Sequence, residues 1–413
     1  MFRTQPASST RQSFRHMFSI IIVLALSTSH YVSAESGQPQ SAEPVHRVPV
    51  IDVTDLYYPY EDPGDNLDLI AAYALPQIDL RAVILDASEA FRKPVADDPI
   101  LWHDPNGPRD PGIISVSQLN YIFDRNVPYA VGPFTRMKSL EDQMRDIPKW
   151  QQRGIELLLK AAAESPEPVD IVAFGSLRTI AAAFNRDPAL FRKHVRRIHI
   201  SAGSSTENFE FGTSADHNKI PGGEWNVGLD PLAFIRIMRS GLPLDWYPCA
   251  TKDGAFEYGK NNSYWKLPNL SFIQEMTPKL KNYMDFFWSK STRSDFLRAM
   301  DVGIPNTLST SRYREPHHVW ETAIWLSVAH LKLVQRSDLH YAILPSTAVS
   351  SGDRAQPNDL LPIQAEVRDD GRVGFRVIQE PSSLHIYYRP DPAANEQALR
   401  EALPQLYKNF RVP

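Results

Sequence analysis

The chain has 413 residues, 42% hydrophobic and 22% charged, enough apolar material for one large α/β domain with an appendage or for two domains. Its 44 basic residues against 48 acidic ones leave a formal charge of −4, and that near balance excludes the clustered basic surface that nucleic-acid binding needs. The single cysteine, Cys249, excludes an intramolecular disulfide and a cysteine-based zinc site.

At the N-terminus, Arg3, Arg11 and Arg15 precede the apolar run Phe18–Leu26, and Val32, Ser33 and Ala34 stand just before Glu35. A positive flank, a short apolar stretch and small residues at the exit are the parts of a secretory signal peptide. Residues 1–34 are therefore expected to direct export to the periplasm or the extracellular space, with cleavage near Ala34. A single membrane anchor is the alternative, but the run falls well short of the roughly 20 apolar residues that span a bilayer. No stable membrane insertion is expected after cleavage. Cleavage removes three arginines and no acids, which takes the charge from −4 to −7. Residues 35–47 are polar and proline-containing, and read as a linker.

From residue 48 to about 345 short apolar strands alternate with helical stretches. Val48–Val53, Leu80–Leu85, Asn126–Val131, Val169–Phe174 and Arg197–Ala202 read as strands, and Leu67–Leu75, Ile155–Glu164 and Thr179–Phe184 as helices. This alternation predicts an α/β fold, an open and mostly parallel sheet with helices on both faces. In such sheets ligands bind beyond the carboxyl ends of the strands. Residues 86–120, rich in Asp and Pro, read as a long surface loop over that end. Residues 346–413 differ in texture: Ile363–Ile378 alternates around an Asp-Gly turn, Ser383–Tyr388 follows as a strand and Glu396–Tyr407 as a helix. They are expected to form a small α+β extension packed on the main domain.

The chemistry concentrates after the first strand, where Asp52, Asp55, Asp62, Asp65 and Asp68 fall within one strand-to-helix connection. Like charges so close repel unless a positive group gathers them, and a hard divalent cation does so naturally. Outside the cytoplasm calcium is plentiful enough to fill even a weak oxygen-ligand site. A second segment, residues 218–233, sets Asn218, Glu224 and Asn226 around Trp225, groups that can hold sugar hydroxyls. Asp230 and Pro231 in the same segment fit a helix N-cap and first turn.

These segments together resemble the inosine/uridine-preferring nucleoside hydrolase superfamily. Asn218-Lys-Ile-Pro-Gly-Gly-Glu224-Trp-Asn226 reproduces that family's Asn-x-x-Pro-x-x-Glu-aromatic-Asn motif, and Gly175–Ala181, Asp187–Leu190, Arg197–Gly203 and Val127–Gly132 resemble further family segments in the expected order. The resemblance covers about residues 48–335. It implies Ca2+ as cofactor, Asp55 and Asp65 as calcium ligands, and Asp55 as the base that activates a calcium-bound water. It also implies Asn218, Glu224 and Asn226 as ribose-hydroxyl contacts, and Arg178 as the position whose backbone carbonyl ligates calcium. The implied reaction is hydrolysis of the N-glycosidic bond of a nucleoside or other riboside through an oxocarbenium-like state.

The chain departs from the family at three places. Residues Leu56–Glu61 are inserted in the acidic loop and Gly64 replaces one of its paired aspartates, for which Asp62 is the stand-in; Ser88-Glu89 replaces a Gly-Asn; and His317 or His318, with Glu321 on the same helical face, replaces a late His-Asp. Glu321 is thus either the missing metal ligand or a first-turn carboxylate favoured by the helix dipole. His318 is the base-side histidine of this reading. A zinc site on His317, His318 and Glu321 is disfavoured, because adjacent histidines rarely face one metal. Tyr57, Tyr58 and Tyr60 either stack on a base or sugar or pack the loop. Trp225 is expected as core beneath the sugar site, and Asn261 and Asn269 open glycosylation sequons. A hydrolase of another furanosyl compound and a riboside-binding protein without turnover stay open, as does a homo-oligomer.

Overall fold

Val48–Thr54 is buried at every one of its seven positions, and a strand with no polar face belongs inside a sheet covered on both sides. The computed structural model describes residues 46–56, 63–86, 112–210, 224–288, 295–304 and 311–413. Residues 45–413 form one compact unit. The strands are β1 (Val48–Thr54), β2 (Ile78–Leu85), β3 (Tyr129–Val131), β4 (Val169–Phe174), β5 (Val195–Ser201), β6 (Ser204–Glu207), β7 (Leu244–Tyr247) and β8 (Ala250–Thr251). They continue with β9 (Trp265–Leu267), β10 (His317–Val319), β11 (Leu331–Gln335), β12 (Tyr341–Pro345), β13 (Arg354–Ala355), β14 (Asp359–Val367), β15 (Val373–Val377) and β16 (Leu384–Tyr388).

The main sheet has eleven strands in the order β3-β2-β1-β4-β5-β7-β16-β14-β15-β6-β8. From β3 to β16 every neighbouring pair is parallel. The order runs outward both ways from β1 and β4, so the crevice at their carboxyl ends is the switch point where an open α/β sheet takes its ligand. Because side chains alternate across the strands, the sheet feeds two cores. Ile51, Val53, Ile171, Ala173, Ile198 and Ile200 face one, beneath the helices Lys149–Ala163, Arg178–Arg186 and Pro231–Met238. Val48, Val50, Val172 and Phe174 face the other, beneath Pro63–Ala74, Pro278–Trp288, Thr322–Val328 and Pro392–Lys408. The expected α/β architecture with helices on both faces is the observed one.

Several local expectations change. The first helix starts at Pro63 rather than Leu67, proline being suited to an opening turn because its missing N–H has no partner to lose there. Part of the expected surface loop is the helix Ile113–Ile122, and residues 87–111 lie outside the described residues. The expected C-terminal hairpin and helix are present, and their strands join the main sheet. β16 pairs in parallel with β7, β14 pairs with β16, and β15 reaches β6, so residues 359–388 complete the main sheet.

Candidate active site

Asp55 leaves β1 at the carboxyl end of the sheet, and its backbone N–H donates to Phe174 O on the neighbouring strand at 3.0 Å. Asp86 leaves β2 one strand over and is fully buried. Its Oδ2 accepts from the Ser176 N–H at 2.6 Å and the Ser176 hydroxyl at 2.7 Å. Burial pushes Asp86 up to about 6, against the Arg178 charge and those hydrogen bonds. Gly175 lets the three chain segments meet: a Cβ there would sit 2.8 Å from Asp86 Oδ2 and 3.1 Å from Asp55 Cβ. Asp52, on the same face as Val172, has an Oδ1 with no hydrogen-bond partner among the described residues, and burial pushes it up to about 8. It is a protonated carboxyl at neutral pH.

The acidic helix start gathers differently from the sequence expectation. Asp65, Asp68 and Glu321 are all buried and offer carboxylate oxygens within 4.8 Å of one another. Asp68, read from sequence as structural, is a member of this cluster: three residues after Asp65 on one helix, it lies on the same face. Glu321 arrives from elsewhere, as the residue preceding the helix Thr322–Val328, with Oε2 accepting from the Trp320 N–H at 2.9 Å. Three hard oxygen donors converging in a buried place fit a divalent cation of the calcium type and no soft metal. Asp62 lies outside the described residues.

His317, His318 and Glu321 do not share a helical face. His317–Val319 is strand β10, paired with β9, so the two histidines point to opposite sides. The same alternation removes the zinc site. His318 Nδ1 is 2.8 Å from the Tyr264 hydroxyl, its ring stacks on Tyr264 at 5.7 Å and on Trp320 at 6.2 Å, and Phe256 meets it edge-on at 4.8 Å. Phe256 is 55% exposed, so this aromatic wall opens to solvent beside Glu321. The sequence reading missed the wall; its signal was the aromatic density of Phe256, Tyr258, Tyr264 and Trp265 within ten residues.

The sugar motif is half structural. Glu224 is buried, and its carboxylate caps the helix Trp225–Leu229 by accepting from the N–H groups of Asn226 and Val227 while Oε2 also takes the Gly203 N–H at 2.7 Å. Burial pushes its carboxyl up and the backbone donors oppose the shift. The Asn226 amide donates to Ser201 O at 2.8 Å, at the carboxyl end of β5. Asn218 lies outside the described residues. Trp225 is not core: 52% of it is exposed. The Arg178 side chain is fully buried, bonded to Asp230 Oδ2 at 2.8 Å and to the carbonyls of Pro133, Phe134 and Leu229. Breaking that pair would leave a buried charge, at a cost of about 3–5 kcal/mol.

Cys249, just beyond β7, links these parts. Its Sγ lies 3.3 Å from the hydroxyl of Ser201, whose carbonyl takes the Asn226 amide, and its own carbonyl accepts the indole N–H of Trp320, the neighbour of Glu321, at 2.9 Å.

The sequence profile of the inosine-uridine preferring nucleoside hydrolases matches residues 68–302. The chain belongs to this family. Among the curated relatives of this chain, the pyrimidine-specific ribonucleoside hydrolase RihA of Citrobacter koseri is 28% identical over 202 residues, 44% of this chain and 56% of the relative. The chain thus spans about half the length of the curated relatives it matches. RihA of Enterobacter sp. is 37% identical over 91 residues, covering 22% of this chain and 26% of the relative. The solved inosine-uridine preferring nucleoside hydrolase of Bacillus anthracis superposes with a TM-score of 0.44 at 12% identity, covering 88% of this chain and all of that one. In this family member the match stops at residue 302, ahead of Glu321, the aromatic His318 and Trp320, and the whole C-terminal segment.

Proposed function

We propose that this chain hydrolyses the N-glycosidic bond of a nucleoside or related riboside, with calcium held by Asp65, Asp68 and Glu321. The convergence of those three buried carboxylates at the switch point carries the reading. When bound there, the cation supplies Lewis acidity that eases deprotonation of the attacking water. Asp55, partly exposed at the end of β1, takes the proton of that water as it attacks the anomeric carbon. The C–N bond breaks with its electron pair leaving on the base, and His318, oriented by the Tyr264 hydroxyl, delivers a proton to it. The aromatic wall of Phe256, Tyr264 and Trp320 stacks the departing base and keeps water from it.

A second reading, a hydrolase of another furanosyl compound, draws on Glu224. With its carboxylate already bonded to three backbone N–H groups, Glu224 contributes less to a sugar hydroxyl than its motif position implies. Residues 1–34 serve, in this reading, as a cleaved export signal; the N-terminal sequence of secreted material should begin at or near Glu35.

The test is a panel of uridine, inosine, cytidine, adenosine and p-nitrophenyl riboside, with free sugar as readout, before and after chelation and with Asp55→Ala. Calcium-dependent release from any member, lost in the variant, supports the reading. Binding of ribosides with no release at any calcium concentration would leave a binding protein instead.

A further inference from the structure

The C-terminal segment lies beyond the stretch that the family's sequence profile matches, yet it touches both halves of the proposed site. Arg389 follows β16 and is fully buried. Its guanidinium donates to the carbonyls of Gly259 and Tyr264 and to the side-chain oxygens of Asn262 and Asn395, and its own N–H donates to Lys260 O at 2.8 Å. A planar fork with fixed donors holds several carbonyls at once, which a lysine cannot. The loop so held, residues 259–264, delivers Tyr264, the partner of His318.

The helix Pro392–Lys408 adds to this grip. Glu396 Oε2 accepts the Lys266 N–H at 2.9 Å and Arg400 Nε donates to Lys266 O at 2.8 Å. Two side chains thereby take both backbone groups of the residue that pairs with His318 across β9 and β10. One helical end further on, the buried Tyr407 hydroxyl donates to Leu67 O at 2.9 Å. Leu67 lies between Asp65 and Asp68. The charges of Asp68 and Glu321 reach the Tyr407 hydroxyl and, after burial itself, raise its pKa further.

We propose that Arg389 and Tyr407 are positioning residues of the site, Arg389 setting the loop that carries the aromatic wall and Tyr407 setting the helical turn that carries Asp65 and Asp68. Neither touches substrate. Each acts on one half, so their effects separate. This inference rests on the reading of the two halves as a ribosyl-bond site.

Arg389→Lys and Tyr407→Phe are compared with wild type in the full chain. Arg389→Lys should raise KM for p-nitrophenyl riboside about tenfold with kcat within twofold and calcium Kd unchanged. Tyr407→Phe should raise the calcium Kd about fivefold, the loss of one buried hydrogen bond, with KM at saturating calcium unchanged. Hydrogen exchange should rise within residues 256–266 in the first variant and 63–70 in the second, and nowhere else. Parallel changes in both constants, or a fall in Tm with exchange rising everywhere, would overturn the proposal. If wild type releases no sugar, the ribosyl-bond reading fails, whereas the exchange pattern and the calcium titration still decide the positioning claim.

Discussion

Two groups of buried carboxylates occupy opposite ends of the same sheet, and they are built on opposite rules. At the amino ends of β4, β5 and β7, Asp170 is gripped by Arg196 through two hydrogen bonds of 2.8 Å and lies 3.3 Å from His199 Nε2. Asp245 meets Arg197 at 2.6 Å and His385 of β16 at 3.3 Å. Each acid there has a base, and the group ties the C-terminal strand to the central ones. At the carboxyl ends, Asp65, Asp68 and Glu321 converge on one another. Charges that answer each other within the protein serve the fold; carboxylates brought together in one buried place can hold a cation.

The largest effect that would sharpen the contrast is on turnover. Asp55→Ala should lower kcat by about 10²–10⁴-fold while leaving Tm within a degree or two. A large loss of Tm would move Asp55 to the structural group.

Next is Asp170→Asn, which should cost about 3 kcal/mol of stability and leave kcat unchanged, read by urea unfolding and steady-state rates. Burial by itself would raise Asp170, but hydrogen bonds and charge from His199 and Arg196 outweigh it and hold it at about 2. A depressed folded pKa gives stability that is present above the unfolded value of roughly 3.9 and is lost as the pH falls through about 2. The variant should therefore show a flatter acid limb between those values.

Calcium comes third. At about 100 times its Kd it should stabilise wild type by about 2.7 kcal/mol, and Asp68→Asn or Glu321→Gln should lose most of that gain in a thermal scan. A gain of equal size in the variants would remove the cluster from the account. The smallest effect concerns Asp52, whose carboxyl is pushed up to about 8 by burial. Its contribution is full below the unfolded value of roughly 3.9 and is lost as the pH rises to about 8, so the stability of Asp52→Asn relative to wild type should rise between pH 4 and pH 7.

The strands of the sheet's centre were legible because an all-apolar run bounded by turn residues has few other uses. The joining of β16 to β7 was not, since a pairing across some 140 residues leaves no local pattern. Within the site, Asp65 was named from the family resemblance and Glu321 from its spacing to the histidines, and the structure brings both into one cluster. Asp68, read as structural, stands at an i,i+3 offset from Asp65 that was in plain view and lies in the same cluster. Asp86 was overlooked, yet it follows its strand as Asp55 does. His317 and His318 were read on a helix because helical spacing to Glu321 is easy to count; β-pairing with β9, which the sequence does not display, decides otherwise.

The proposed role of the carboxyl end of the sheet is that of a cation-dependent ribosyl-bond site. It meets its most direct test in sugar release from inosine and uridine by the chelated protein and after calcium is restored. No release is expected after chelation, with release recovered by calcium and abolished by Asp65→Asn. Release that persists undiminished in chelator, or in Asp65→Asn, would contradict it.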